Sequence, residues 1–130
     1  MTKDGVLVDT SALIDFLKDT APNAAAVATI IHSKRICTTG IIMAELLQGA
    51  RNAAEESFIA ELLNGIPTIE ITSAHWMKAG RLSCSLRRKG ITVPLSDLAI
   101  AATAMEHNLQ IFTLDNHFKQ IPGVNLYRPR

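Results

Sequence analysis

Short apolar runs alternate along the chain with longer stretches whose apolar residues recur every three to four positions. Residues 6–8, 36–38, 68–71, 110–114 and 124–127 are brief, rich in Val, Ile and aromatic side chains, and bounded by turn formers. Five strands are predicted there. Helices are predicted between them. The first follows a Thr10 or Ser11 cap and runs to Lys18, and the second runs from Pro22 or Asn23 to His32. A third, around Glu45, stops near Gly49; a fourth, from Asn52 or Ala53, buries Phe58, Ile59, Leu62 and Leu63 on one face and stops at Gly65. Ser73 is expected to cap a long helix that runs to Lys89 and is stopped by Gly90. Pro94 and Ser96 introduce a last helix to His107 that is apolar almost all round. Strand–helix alternation with a helix of that kind implies a mainly parallel sheet covered on both faces.

Four carboxylates interrupt this pattern. Asp9 ends the run Gly5-Val6-Leu7-Val8, and Glu45 stands among Ile41, Ile42, Met43, Leu46 and Leu47. Asp97 opens the apolar segment from Leu98 to Met105, and Asp115 closes Gln110-Ile111-Phe112-Thr113-Leu114. An ionised carboxylate buried without a partner costs roughly several kcal/mol or takes up a proton. No Lys or Arg is placed locally to pair with any of the four. Divalent cations would supply the missing charge, and hard ions such as Mg²⁺ or Mn²⁺ favour carboxylate oxygens. Each acid alone has a plainer role open to it: Asp9 as a helix cap, Asp97 as a dipole partner, Asp115 as a turn starter helped by Asn116. Glu45, in mid-helix, has none. In parallel sheets ligands bind beyond the carboxyl ends of the strands. Asp9 and Asp115 follow strands directly, Asp97 lies in a first helical turn and Glu45 on a flanking helix, so all four are expected in one cleft.

Composition narrows the picture further. The 130 residues suit one domain spanning residues 1–130, and 48% hydrophobic residues can fill its core. The longest apolar runs, near residues 24–31 and 98–105, are too short for the ~20 residues of a membrane span. Asp4 and Asp9 come too early for a signal peptide. Cys37 and Cys84 show no metal-ligand spacing and sit among core-like neighbours, so both are expected as buried free thiols in a cytoplasmic protein. Net charge is only +1, yet no acidic residue lies between Ile71 and Ser96, where Lys78, Arg81, Arg87, Arg88 and Lys89 fall. Beside an acidic cleft that stripe suits phosphate contact. His32, His75, His107 and His117 share no ligand spacing and read as helix-end or surface residues, with His117 nearest the acids. Trp76 and Tyr127 read as core or interface packing rather than base-stacking platforms.

The segments Val8-Asp9-Thr10-Ser11-Ala12-Leu13-Ile14-Asp15, Ala44-Glu45-Leu46-Leu47-Gln48-Gly49, Ser96-Asp97-Leu98-Ala99-Ile100-Ala101-Ala102-Thr103-Ala104 and Thr113-Leu114-Asp115-Asn116-His117-Phe118 resemble, in order and spacing, the motifs of PIN-domain ribonucleases. The compact length resembles the VapC toxins of type II toxin–antitoxin systems. The resemblance implies a three-layer α/β/α sandwich around a five-stranded, mainly parallel sheet. It also implies an Mg²⁺- or Mn²⁺-dependent endoribonuclease whose acidic quartet is Asp9, Glu45, Asp97 and Asp115. Thr113 matches a hydroxyl residue supporting the last acid, and Thr10 and Ser11 match polar residues beside the first, with Asn116 beside Asp115. Asn108 departs from a Gly that relatives often carry there, and Asn tolerates the left-handed backbone a helix end requires.

The implied partners are an RNA substrate, a VapB-like antitoxin and a second copy of the chain in a homodimer. The antitoxin is expected to insert an Arg or Lys among the acids and to lay an apolar helix near Leu13, Phe16 and Leu17. Arg81, Arg87, Arg88 and Lys89 are the expected RNA contacts. The competing reading is a non-catalytic PIN-like module that binds RNA or a partner. A dehalogenase-type phosphatase would need a second Asp where Ser11 stands, and phosphate-cradling glycine loops are missing.

Overall fold

Four strands form one parallel sheet in the computed structural model, which describes residues 4–129. They are β1 (Val6–Val8), β2 (Ile36–Cys37), β3 (Gln110–Phe112) and β4 (Asn125–Leu126), in the order β2-β1-β3-β4. β1 is the central strand, with Val6 opposite Ile36 on one side and Gln110 on the other. Val6, Leu7 and Val8 are fully buried, as expected of a strand covered on both faces.

The sheet is one strand narrower than the sequence predicts. Residues 68–71 contribute only a bridge between Thr38 and Thr68, made by Thr38 N–H donating to Pro67 O (3.0 Å) and Ile69 N–H donating to Thr38 O (2.8 Å). Pro67 has no N–H to extend the ladder, so pairing stops there.

From β1 the chain passes through α1 (Thr10–Leu17) and α2 (Asn23–His32) to β2. It then runs through α3 (Gly40–Gln48), α4 (Ala53–Asn64), α5 (Ser73–Arg88) and α6 (Leu95–Glu106) to β3, on the far side of β1. Residue 68 continues outward from β2 before the chain reverses, so right-handed crossovers set α1 to α4 on one face of the sheet and α5 and α6 on the other. The reversal also creates a switch point between β1 and β3, at the carboxyl ends of both strands.

α6 is the inner helix: every residue from Leu98 to Ala104 is buried. Its alanines let it approach its neighbours closely, and the buried Thr103 hydroxyl is satisfied by donating to Ala99 O (2.8 Å). α5 packs along α6 and is capped by Thr72, one residue earlier than expected. The Thr72 hydroxyl accepts from His75 N–H (3.4 Å), while His75 Nδ1 accepts from Thr72 N–H (3.0 Å). That reciprocal box needs a side chain able to reach back from the third helical position, and His75 supplies it. Asn108 adopts the left-handed conformation (φ 54°) between α6 and β3. Gly90 (φ 78°) turns the chain from α5 towards α6.

The cysteines separate. Cys37 is buried in β2, and burial pushes its thiol up to about 12, an inert group. Cys84 is exposed, against expectation, because it occupies the face of α5 turned away from α6. Among the described residues no helix is long and apolar enough to cross a membrane.

Candidate metal centre

The switch point is where Asp9 stands. Its N–H donates to Phe112 O (2.9 Å), continuing the β1–β3 ladder, and its carbonyl accepts from Ala12 and Leu13 to start α1. Its side chain does not cap that helix. The carboxylate instead turns inward, 6% exposed, where Thr113 donates to Oδ2 (2.8 Å) and Ser11 contacts the same oxygen at 3.4 Å. Thr113 Oγ1 also accepts from Asp115 N–H (3.0 Å), and Ser11 Oγ from Leu114 N–H (3.0 Å). Two hydroxyls thus lock the first acid to the loop that carries the last one.

Asp97 and Asp115 face each other across His117. His117 Nδ1 lies 3.0 Å from Asp97 Oδ2 and 3.0 Å from Asp115 Oδ1. Asp115 does start a turn, since its Oδ1 accepts from His117 N–H (2.9 Å) at the head of a short 3₁₀ helix, Asn116–Gln120. One ligand atom from each of Asp97, Asp115 and His117 lies within 4.8 Å of the others. This histidine is the residue that sequence spacing undervalued. Its position two after Asp115 was visible, but its approach to Asp97, 20 residues away in sequence, was not.

Glu45 is exposed, which corrects the expectation of a carboxylate ringed by apolar side chains. α3 turns Ile42 and Leu46 into the core, so the apolar neighbours in sequence occupy other faces of the helix. Thr10 fixes its direction by donating to Glu45 Oε1 (2.8 Å). Asn116 is exposed, and among the described residues its side chain joins none of these bonds.

Electrostatics tie the four acids together. Burial raises the Asp9 carboxyl above its ordinary range, with a further push from Glu45, against hydrogen bonds from Thr113, Thr10 and Ser11. Burial likewise raises Asp97, opposed by the His117 hydrogen bond and reinforced by Asp9 and Asp115. The Asp97 hydrogen bond raises His117 in turn, with smaller help from Asp115 and against desolvation. No Lys or Arg among the described residues pairs with any of the four. The donor set, carboxylate oxygens crowded without a fixed cation, suits a hard divalent ion.

Two exposed flanks of α5 follow from ~100° of turn per residue. Lys78, Arg81, Ser85 and Lys89 share one, Trp76, Gly80, Cys84 and Arg87 share the other, and Arg88 lies between. The carboxyl end of α5 leads through a short loop to the helix that carries Asp97, so Arg88 and Lys89 stand towards the end of the molecule where Asp97 lies. Tyr127 is packed edge-on against Phe112 (5.5 Å), whereas Trp76 is 46% exposed.

A parallel α/β sandwich with clustered acids at its switch point is the class this geometry defines. A family model described as "PIN domain" matches residues 6–124, and the chain belongs to that family. It is 31% identical over 124 residues to the VapC ribonuclease Mb1587 of Mycobacterium bovis, covering 92% of each chain. The same figures hold for ribonuclease VapC11 of Mycobacterium tuberculosis. Among solved structures, the fold matches VapBC2 from Rickettsia felis bound to a DNA fragment from its promoter (TM-score 0.79, 21% identity, 94% of this chain and 96% of that one). A toxin–antitoxin complex from Klebsiella pneumoniae matches with TM-score 0.68 and 27% identity over 92% and 95% of the two chains.

Proposed function

We propose that this chain is a Mg²⁺- or Mn²⁺-dependent endoribonuclease acting in the cytoplasm as the toxin of a toxin–antitoxin pair. The observation that carries this reading is the meeting of Asp9, Asp97 and Asp115 at one sheet edge with no Lys or Arg paired to them among the described residues. The ribonuclease names of the 31%-identical relatives support the same chemistry.

Asp9, Asp97 and Asp115 would hold the metal, with Glu45 at the margin. When bound, the metal neutralises charge on the scissile phosphate and makes water a better nucleophile near neutral pH. The remaining work belongs to the chain. Thr10 aims Glu45, which orients the attacking water and accepts its proton. Thr113 and Ser11 hold Asp9 in place and favour its ionised form against the effect of burial. Arg81, Arg88 and Lys89, with Arg87 at the edge of the other flank, draw RNA phosphates towards the cleft.

The antitoxin's place is a groove of about 330 Å³ between α1, α3 and α4, lined by Ile14, Leu17, Leu46, Phe58 and Ile59, with Glu45 at its edge. Leu13, expected there, is fully buried and belongs to the core; Ile14 takes its place. Phe58, 60% exposed, was expected on the buried face of its helix and instead offers an apolar anchor. A basic side chain entering beyond Glu45 would substitute for cation charge among the acids.

The test is cleavage of RNA by purified protein in Mg²⁺, in Mn²⁺ and in EDTA, with Asp97→Asn as control. Metal-dependent cleavage that disappears in the variant is expected. RNA binding without cleavage in any metal would leave the non-catalytic module.

A further inference from the structure

A groove of about 1030 Å³ opens between α2 and the segment that follows β4. Ala25 and Ala26 of α2 form one wall, and Tyr127 and Arg128 the other. Arg35, just before β2, and Gln110, at the start of β3, stand at the amino ends of the strands, away from the four acids. No Asp or Glu lines the groove.

Arg35 is held in place before any ligand arrives. Its Nε donates to Asp4 O (2.6 Å) and its Nη2 to Gln110 Oε1 (3.1 Å), and the guanidinium lies over the Tyr127 ring, 5.5 Å from the centroid. Phe112 steadies Tyr127 in turn by its edge contact. Those two bonds leave most of the guanidinium's N–H groups unused, and no carboxylate pairs with it among the described residues. Because the Gln110 oxygen must face Arg35, its NH₂ is left without a partner among the described residues. Arg128 adds a second cation, exposed and unpaired among the described residues. A fixed, unneutralised guanidinium beside spare amide donors suits phosphate oxygens.

We propose that this groove grips the sugar–phosphate backbone of single-stranded RNA as an anchor separate from the metal centre, a role that rests on the ribonuclease reading. Carboxylates of a protein partner would fit the same fork, but protein interfaces are centred on buried apolar or aromatic anchors. The exposed large apolar residues among those described, Ile14, Phe58, Trp76, Met77, Leu95 and Leu114, all lie outside the groove. Phosphate contacts need no such anchor. Clustered carboxylates also repel a phosphodiester until metal is bound, so the first hold on RNA has to come from outside the cleft. Gln110 stands about 10 Å along β3 from Thr113, within reach of one strand that also enters the acidic site. Tyr127, with an edge on Phe112 and a face under Arg35, serves the guanidinium rather than a base. The grip is therefore indifferent to base sequence.

The experiment is a fluorescence-anisotropy titration of labelled single-stranded RNA with the full chain carrying Asp97→Asn, in Mg²⁺, so that binding is read without cleavage. Oligomers of about 16 nucleotides match the upper end of ordinary single-strand sites. Gln110→Glu keeps the acceptor that positions Arg35 and places a carboxylate in the groove. Its melting temperature should hold or rise while RNA affinity falls roughly tenfold. Arg35→Gln with Arg128→Gln should lower the log–log salt slope by about 1.4, two phosphates at about 0.7 each. A changed base sequence should alter neither result. A glutamate-rich peptide is the rival probe. Unchanged RNA affinity and salt slope in these variants would overturn the proposal, and so would peptide binding that Gln110→Glu abolishes while RNA binding stays. The nuclease reading fails separately: RNA held through this groove by a wild-type chain that cleaves in no metal would remove the catalysis and leave the anchor.

Discussion

Asp9 shows how much one side chain depends on its setting. Burial raises its carboxyl, and three hydrogen bonds pull the other way. A carboxyl raised on folding stabilises below its unfolded pKa, about 3.9, and that contribution is lost as pH rises through the folded value. Asp97 and His117 are raised as well, so all three act in the same direction in the metal-free protein. Asp9→Asn and Asp97→Asn should therefore abolish cleavage yet melt at or above the wild-type temperature in EDTA. The advantage of Asp9→Asn should widen from acid to neutral pH. Melting curves in matched buffers check this, and a variant that melts lower throughout would make the carboxylate structural. Thr113→Val removes the 2.8 Å donor to Asp9 while keeping the shape. Supporting hydrogen bonds of this kind are worth roughly 10–100-fold in metal affinity or activity. Expected are a loss in that range and a pH profile displaced upward, since the hydroxyl favours the ionised acid. An unchanged profile would reduce Thr113 to packing.

At the scale of elements, the periodicities in the sequence predicted every helix from α1 to α6 and the strands β1 to β4. They did so because each long element buries one consistent face, or in α6 nearly its whole length. The failures came where a neighbour in space decides. Pro67 silences the ladder at residue 68, an effect visible only once β2 is beside it. Glu45, Cys84 and Phe58 look buried from their sequence neighbours and are not, because a helix sends adjacent residues to different faces. Asp97 meeting His117 depends on how α6 and the 3₁₀ turn dock, and no local pattern encodes that. Two glycines test the turns. Gly123 (φ 88°) has Met105 Sδ 2.8 Å from where a Cβ would stand, whereas Gly90 (φ 78°) has open space. Gly90→Ala should cost about 1–2 kcal/mol for the left-handed backbone alone, and Gly123→Ala distinctly more. Urea titrations of both variants give the comparison, and equal losses would remove the clash with Met105.

Over the whole molecule, four acids gather at the sheet edge while cations line the exposed surface of α5. Reversing Arg81, Arg88 and Lys89 should weaken RNA binding and flatten its salt dependence. The log–log slope should fall by about 0.7 for each single-strand phosphate that the variant no longer neutralises. Cleavage should persist at high enzyme concentration, and an unaltered slope would return the flank to plain solvated surface. Expression of the chain alone should arrest growth, and a co-expressed antitoxin should relieve it; harmless expression of a protein that cleaves RNA in vitro would remove the toxin role. The hydrogen bond from Thr113 to Asp9 joins residues 104 positions apart, and Asp115 lies beyond it. A ribosome making this chain adds the first acid at residue 9 and the last one 106 residues later. Before residue 115 is in place the nascent polypeptide lacks its fourth carboxylate, and before residue 113 it also lacks the Thr113 hydroxyl that holds its first. The translation machinery, itself built on RNA, is therefore next to an incomplete site until residue 115 has been added.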